Sequence, residues 1–290
     1  MALRVYNNLY SATAQRNLGV NSDSLKGSLE KLSSGLRINR GADDAAGLAI
    51  SEGLRSDIRS LQQASRNAND GVSLINTAEG ALSEQASILV RMRELASQAA
   101  TGTVGSTERQ TINREFSALR DEIDRISNVT EFNGQKLLNG AMSADPATLL
   151  ASGASSVSIQ IGMQATINDR ISLNTAVDLT AIDSTGLNIT DISVTHVASA
   201  LDSMGRLDSA LAKVTEARGK LGAVQNRLTH TINNLAVSAE NLQAAESQIR
   251  DADYATEIST FTRNQIMVQA STSILAQSNL VPQSVLQLLR

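Results

Sequence analysis

The sequence predicts a mainly α-helical fold: a long antiparallel helical bundle or coiled-coil rod, formed by the N- and C-terminal halves, with a small β-hairpin insert in the middle. Three observations lead to this prediction. Apolar residues recur at heptad-like spacing in four long runs, and alternation with a period of two is confined to residues 135–197. Aromatic residues make up only 2% of the chain and Trp is absent, so the core must consist of Leu, Ile, Val and Ala. Such cores suit helices packed on helices.

The first two runs predict two helices separated by a glycine-containing bend. The second helix should span about residues 48–100, a length of roughly 80 Å at 1.5 Å per residue. It carries two adjacent apolar stripes and therefore needs partners on more than one side. The first run is Leu18, Ser22, Leu25, Leu29, Leu32 and Leu36; the main stripe of the second is Leu54, Ile58, Leu61, Ser65, Ala68, Val72, Ile75, Glu79, Leu82, Ala86 and Leu89, flanked by Leu74, Ala78, Ala81, Ile88, Met92 and Leu95.

A third helix should fold back on the second. Residues 100–107 hold two glycines, and Thr107 to Gln110 fits a capping box, so the chain is expected to turn there. The third run is Ile112, Phe116, Leu119, Ile123 and Ile126. This helix should stop near Asn128, before the turn signal Asn133-Gly134.

The middle of the chain predicts one or two short hairpins within turn-rich sequence that includes Pro146. The alternating residues are Val157, Ile159, Ile161 and Met163, then Ile171 with Leu173, and Leu187 with Ile189. Helical periodicity then returns from about residue 200 to Arg290, with breaks near Asp251 and at Pro282. This fourth run is Leu207, Leu211, Val214, Leu221, Leu228, Ile232, Leu235, Leu242 and Ile249.

The two terminal segments are apolar on faces too wide for two thin helices to cover. Residues 2–14 and 266–289 carry one formal charge between them, on Arg4. Apolar surface left in water costs about 25 cal/mol per Å². We therefore expect these ends to be disordered in solution or covered by another chain, which indicates self-assembly.

Composition argues against several classes of function. A net charge of −4 with 19% charged residues disfavours nucleic acid or a membrane surface as partner. Neither a membrane span nor a cleaved signal peptide is expected. The chain has no Cys, and its two histidines, His196 and His230, have no partner at metal-binding spacing. Phosphate-loop and nucleophile motifs are also missing, so we expect no cofactor and no enzymatic activity.

Two polar clusters have structural interpretations that we prefer to chemical ones. Asp251, Asp253 and Glu257 could ligate a cation, but capping of a helix by Asp251 or Asp253 is favoured. The bend over residues 32–50 could suggest acid–base or phosphate chemistry, but no His or nucleophile accompanies it. It is interpreted as a polar joint whose backbone is set by glycines, and its residues are Arg37, Arg40, Asp43, Asp44, Gly35, Gly41 and Gly47.

The chain resembles bacterial flagellin, the subunit of the flagellar filament. The N-terminal likeness covers LSSGLRINRGADDAAGLAISEGLRSDIRSLQQASRNANDGVSLINTAEGAL, RELASQ and DEIDRISNVTEFNGQKLLNG. The C-terminal likeness covers LGAVQNRLTHTINNL, SQIRDADYATEIS and ILAQSNLVPQSVLQLLR. The region from about 141 to 200 matches only loosely.

The resemblance implies a division into inner and outer parts of a tube. Residues 1–40 with 251–290 would form the inner-tube domain, and residues 41–47 the junction. Residues 48–140 with 200–250 would form the outer-tube bundle, leaving 141–199 as a reduced variable insert. In the junction, Arg37, Arg40, Asp43 and Asp44 would contact neighbouring subunits, with Gly41 and Gly47 allowing the chain to stop and restart its helix.

The resemblance also implies partners. These are other copies of the chain, the hook-associated junction and cap proteins, a flagellar export chaperone on the C-terminal helix and host Toll-like receptor 5. Export without a cleaved signal would place the protein outside the cell in the filament. The receptor pattern RxRELxxQ assigns Arg91, Leu95 and Glu115 as the main contacts, with Arg93, Glu94 and Gln98 nearby; Val90 departs from the Gln common before that arginine.

Two alternatives are kept beside the filament subunit. The hook–filament junction protein shares similar ends, although LVPQSVLQLLR is closer to filament subunits. A flagellin with a protease insert would need an H-E-x-x-H in the middle of the chain, and the sequence has none.

Overall fold

The structure is a computed structural model that describes residues 8–140, 157–177 and 180–288. The first helices are α1 (Leu9–Ser34), α2 (Ala45–Ala100) and α3 (Ser106–Val129). The short strands within the described ranges are β1 (Glu131–Phe132), β2 (Gln135–Lys136), β3 (Ser158–Gln160) and β4 (Arg170–Ser172). The chain ends with the short α4 (Leu173–Val177) and two long helices, α5 (Val197–Arg250) and α6 (Tyr254–Leu288). The prediction of a mainly helical chain with long helices and small antiparallel strand pairs is confirmed.

The chain forms two compact units, residues 1–58 with 240–290 and residues 59–239. In the second unit, one apolar cluster joins α2, α3, α5 and the short strands. Both predicted stripes of α2 enter it, since Ile75, Leu82 and Met92 are fully buried. The third and fourth runs supply Phe116, Ile123, Leu221 and Leu228.

The turn between α2 and α3 differs from the predicted capping box. The helix begins at Ser106 and its N-cap is Gly105, whose carbonyl accepts from Arg109 N at 3.1 Å. Thr107 lies inside the first turn, where its hydroxyl cannot act as the cap. The side chain of Arg109 instead donates to the carbonyls of Ala99 and Thr101 at 2.8 and 3.0 Å, which secures the end of α2.

The Asn133-Gly134 turn is confirmed. Phe132 pairs with Gln135 across a two-residue loop, and both loop residues have positive φ, 51° and 78°. Two residues with positive φ are what a type I′ hairpin turn requires.

The second hairpin is shorter than the alternation predicts. β3 pairs antiparallel with β4, with Ile159 opposite Ile171. Met163 lies beyond the strand and is 47% exposed, while Leu173 starts α4 instead of extending β4. The predicted turns around Pro146 lie outside the described residues.

The expected strand at Leu187 and Ile189 is a buried turn. Leu187 N donates to the Asp183 carbonyl at 2.9 Å and Ile189 N to that of Ser184 at 2.8 Å. Asn188 between them has a φ of 60°, which no strand residue adopts. A local turn thus buries two alternate residues and imitates a strand pattern.

In the first unit, α1 packs along α6 through only part of the predicted heptad, Leu18, Leu25 and Leu32. The inward positions of α1 are Ser11, Ala14, Leu18, Asn21, Leu25, Ser28 and Leu32. Leu29, expected on this seam, is 55% exposed, and Ser22 is exposed too. The apolar pattern thus identified the leucines of the seam and missed the polar positions between them, Asn21 and Ser28.

The predicted break at Pro282 is also wrong, since α6 continues to Leu288. Proline lacks the N–H that would bond the carbonyl four residues earlier, that of Ser278. Asn8 Nδ2 donates to that carbonyl at 2.9 Å, so the orphaned acceptor is satisfied. This contact removes one of the two causes for which proline usually ends a helix.

Candidate functional site

The bend after α1 and the break before α6 are bonded to each other. Arg37 N donates to the Arg250 carbonyl at 2.7 Å, and Ala252 N to that of Gly35 at 2.9 Å. The Arg37 guanidinium also donates to the Ile249 carbonyl. Gly35 caps α1 with a φ of 73°, a conformation in which glycine is favoured. The predicted joint is therefore built from two separate stretches of the chain.

Arg40 and Asp43 organise the exposed side of the bend. Arg40 donates twice to the Glu30 carboxylate, at 2.9 and 2.8 Å. Asp43 Oδ2 accepts from the backbone N of Asn39 and Arg40 at 3.1 and 2.9 Å. These backbone donors, helped by the charges of Lys31 and Arg40, hold the pKa of Asp43 below its usual range.

Asp44 and Gly47 form the start of α2. Asp44 Oδ1 accepts from Gly47 N at 2.8 Å, a helix-capping contact. A Cβ on Gly47 would lie 2.8 Å from Ile38 Cδ1 and collide with the Asp44 carboxylate. Gly41 has open space around it, with Leu48 Cδ2 at 3.9 Å. The three glycines thus do different things: Gly35 supplies positive φ, Gly47 supplies room, and Gly41 shows neither requirement.

Asp253 caps α6, as the sequence predicts. Its carboxylate accepts from Ala255 N at 2.9 Å and from the Thr256 hydroxyl at 2.9 Å. The hydroxyl bond, followed by the backbone donors, lowers the pKa of Asp253. Asp251 instead accepts from the Ser247 hydroxyl at 2.6 Å. In the described ranges no three acidic or His side chains are grouped so as to hold a metal ion.

Arg250 is a part of the joint that the sequence did not reveal. Its Nη1 bonds Glu52 at 2.8 Å, and its side chain is 14% exposed. Its carbonyl is the acceptor for Arg37 N. Neither contact leaves a periodic signal, because each joins residues about 200 positions apart.

The seam between α1 and α6 alternates polar and apolar residues. Asn21 Nδ2 donates to Ser271 Oγ at 2.8 Å, and Asn264 Nδ2 to Ser28 Oγ at 3.1 Å. Tyr254 donates from its hydroxyl to the Leu32 carbonyl at 3.1 Å. The apolar inward positions on α6 are Phe261, Val268 and Leu275. Much of the seam thus depends on hydrogen bonds.

Large apolar side chains of the same two helices point away from the seam. Leu9 is 75% exposed and Ile266 is 59% exposed. The others, each about half exposed or more, are Tyr10, Val20, Leu29, Ile258, Met267, Ile274 and Leu280. We call this set the outward apolar face. It matches the expectation that the terminal segments carry more apolar surface than they can bury on each other.

A separate charged cluster lies on α2 and α3. Arg91 Nε and Nη2 donate to Glu115 Oε1 at 3.1 and 2.9 Å, and its Nη1 to Glu94 Oε2 at 3.0 Å. These bonds raise the pKa of Arg91. Arg91 and Glu115 are 51% and 49% exposed, so their charges stay accessible. Arg93 bonds Asp208 of α5 at 2.8 Å.

The remaining two residues assigned by the receptor pattern lie differently. Gln98 is exposed beside this cluster. Leu95 is 2% exposed and belongs to the apolar core of the unit. In the isolated chain, Leu95 therefore offers almost no surface for contact with another molecule.

The two histidines lie in different settings. His196 precedes α5, with Nδ1 3.0 Å from the Thr195 hydroxyl, and His230 lies exposed within α5.

Within the described part of the chain, the helices offer no segment long and apolar enough for a membrane span.

Two family models match the chain. The bacterial flagellin N-terminal helical region matches residues 5–143, and the C-terminal helical region matches residues 204–289. A flagellin of Halalkalibacterium halodurans is 50% identical over 287 residues, covering 99% of each chain. A flagellin of Bacillus subtilis is 48% identical over 308 residues, covering 99% of this chain and 100% of that one.

A solved structure of a putative flagellar hook-associated protein from Vibrio parahaemolyticus has the same fold. Its TM-score is 0.56 at 16% identity, and the match covers 72% of this chain and 100% of that one. Identity this low supports the fold alone. The two family models and the near full-length relatives go further: the chain belongs to the bacterial flagellin family, the structural, non-enzymatic subunits of the flagellar filament.

Proposed function

We propose that the chain polymerises by burying the outward apolar face of α1 and α6 against other copies of itself. The observation that carries this proposal is that face, with Leu9, Ile266 and Leu280 all more than half exposed. Full burial of one Leu or Ile side chain contributes about 1.5–3 kcal/mol. A whole face of such side chains gives a strong drive to associate, and the partly polar seam cannot hide them.

In the filament subunit, segments from the two ends of the chain pair to form each tube domain. Residues 1–40 with 251–290 form the inner-tube domain and residues 41–47 the junction. Residues 48–140 with 200–250 form the outer-tube bundle, and 141–199 is a reduced insert. The packing of α1 on α6, and the separate core around α2, α3 and α5, support this division.

At the junction, Arg37, Arg40, Asp43 and Asp44 contact neighbouring subunits. Arg40 is the best placed of the four, since its side chain is 66% exposed although it bonds Glu30. An exposed ion pair contributes little within one chain, so its exchange for a partner on another copy costs little.

The experiment is truncation of residues 1–40 and 251–290. The remaining segment should stay helical by circular dichroism and remain monomeric in sedimentation, while the full chain forms filaments visible by negative-stain microscopy. Filaments formed by the truncated protein would contradict the proposal. A full chain that stayed monomeric at high concentration would contradict it as well.

We also propose that Toll-like receptor 5 recognises the cluster around Arg91 and Glu115, with Arg93, Glu94 and Gln98 beside it and Leu95 as its support. The exposed, mutually bonded charges of Arg91 and Glu115 favour this surface. Binding of the receptor ectodomain should fall about 5- to 150-fold for Arg91→Ala, which corresponds to about 1–3 kcal/mol for an interface anchor.

The matched control is Arg125→Ala, which breaks a similar exposed pair with Glu122 on α3. It should leave receptor binding unchanged. Equal affinities of the Arg91→Ala variant and the unaltered protein would rule out this surface.

The other partners are proposed from the resemblance of the chain to flagellins. A flagellar export chaperone covers α6 before assembly, and the hook-associated junction and cap proteins meet the ends of the filament. Export of the subunits places the filament outside the cell. Co-purification of the chaperone with the full chain, and its loss when residues 251–290 are removed, is the expected result.

A further inference from the structure

We propose that two reciprocal amide–hydroxyl pairs, Asn21 with Ser271 and Asn264 with Ser28, fix the axial register of α1 on α6. This inference rests on the proposed function, because the register sets where the outward apolar face of each helix lies along the axis. The register thereby sets the axial spacing between the exposed apolar side chains of α1 and those of α6, which the next copy contacts.

The geometry of the two pairs is reciprocal. In the first pair the amide comes from α1 and donates to a hydroxyl on α6 at 2.8 Å. In the second the amide comes from α6 and donates to a hydroxyl on α1 at 3.1 Å. The two positions on each helix are one heptad apart, and both hydroxyls are buried, with Ser28 at 5% and Ser271 at 8% exposure.

The apolar part of the seam discriminates poorly between registers. Leu18, Leu25 and Leu32 recur every seven residues on α1, so a slip by one heptad places leucine where leucine was. Apolar packing is non-directional and changes little in such a slip. The joint ties the two helices at one end, where Arg37 N bonds the Arg250 carbonyl; along the seam itself, the polar side chains must select the register.

A slip by one heptad breaks the polar match in both directions. One slip places Asn21 opposite Asn264, and Ser271 opposite Ala14, whose side chain offers no hydrogen bond. The opposite slip places Ser28 opposite Ser271 and Asn264 opposite Gly35, which has no side chain. In either case a seam amide or hydroxyl loses its partner, and an unpaired group in a seam is costly. Polar residues at core positions of coiled coils select register in this manner, at some expense of stability.

The test measures the register directly. The chain has no cysteine, so Ser24→Cys and Thr272→Cys provide two spin-label sites on exposed positions of α1 and α6. Labelled copies are diluted into unlabelled protein before assembly, and the distance within one copy is read by pulsed electron resonance in the filament. The otherwise unaltered chain should give one narrow distance.

The decisive variant is Asn21→Leu with Asn264→Leu on the labelled copies. We expect a second distance population, from helices displaced by about 10 Å, which is seven residues at 1.5 Å each. A single unchanged distance would overturn the inference. The matched variant with Asn21→Ser, Ser28→Asn, Asn264→Ser and Ser271→Asn reverses both pairs, keeps their reciprocity and should give the single distance.

If the leucine variant does not enter filaments, the variant with both pairs reversed decides. Its incorporation with one distance supports the register role, and its exclusion contradicts that role. Unaltered protein that formed no filaments would instead contradict the proposed function, and the same distances would then be read in the unassembled chain.

Discussion

Asn8 donates a hydrogen bond from Nδ2 to the carbonyl of Ser278 at 2.9 Å while its Oδ1 accepts from Ser11 N at 3.1 Å. One side chain thus caps the start of α1 and satisfies the carbonyl on α6 that Pro282 cannot serve. The two helices are therefore linked where α1 begins and where α6 lacks one backbone hydrogen bond.

Replacement of Asn8 by alanine should loosen both helices locally. The loss of a helix cap and of a second hydrogen bond amounts to roughly 1–2 kcal/mol. Hydrogen exchange measured in filaments should increase in the first turn of α1 and around Ser278. Asn8→Asp separates the two effects, because aspartate can cap α1 but cannot donate to Ser278. Unchanged exchange in Asn8→Ala would show that neither contact matters.

Gly47→Val should disturb the joint and Gly41→Val should not. A Cβ at position 47 meets Ile38 at 2.8 Å, whereas position 41 is open. Overpacking of this kind costs typically about 1–3 kcal/mol. The Gly47→Val chain should unfold at a lower temperature in calorimetry and give filaments of altered helical shape. Equal behaviour of the two variants would contradict the different roles of these glycines.

Leu95→Ala should lower stability more than it alters the surface. Leu95 is buried in the core, and removal of a buried leucine side chain costs about 2–5 kcal/mol. Urea unfolding should reveal this loss in the truncated segment as well as in the full chain. Gln98→Ala, on the exposed side, is the control and should stay within about 0.5 kcal/mol. A stable Leu95→Ala variant with weakened receptor binding would mean that Leu95 itself contacts the receptor.

Acid should weaken the cap of α6 through Asp253. The pKa of Asp253 is lowered in the folded chain from its ordinary value of 3.8. The stabilisation is therefore present above that ordinary value and is lost as the pH falls through the lowered one. The amide introduced by Asp253→Asn still accepts hydrogen bonds but does not titrate. The pH dependence of helicity below about pH 4 should be smaller in this variant, and an identical pH profile would refute the role of Asp253.

The long helices of the second unit could be predicted because their burial is periodic and local in sequence. Both stripes of α2 and the runs through Phe116 and Leu221 are buried as expected. Asp253 was also predictable as a cap, since helix capping depends on residues three positions apart.

The remaining features depend on contacts between distant residues. From the sequence, Pro282 indicates a break in the helix. The helix continues because Asn8, at the other end of the chain, donates to the carbonyl that proline leaves without a donor. From the sequence, Asn21 and Ser28 resemble surface residues. Only the structure shows that they pair with Ser271 and Asn264. The apolar heptad places Leu29 among the core residues. The heptad pattern cannot distinguish the seam within one chain from the outward apolar face, which we propose to contact other copies.

Hydrogen exchange of the full chain, compared between dilute solution and assembled filaments, shows whether α1 and α6 depend on other copies for their order. The outward apolar face of α1 and α6 needs other copies to cover it. Backbone amides of both helices should therefore exchange quickly in dilute solution and slowly in filaments, while those around Leu82 and Leu221 stay protected in both. Equal, strong protection of α1 and α6 in the dilute monomer would show that neither helix needs another copy to cover it.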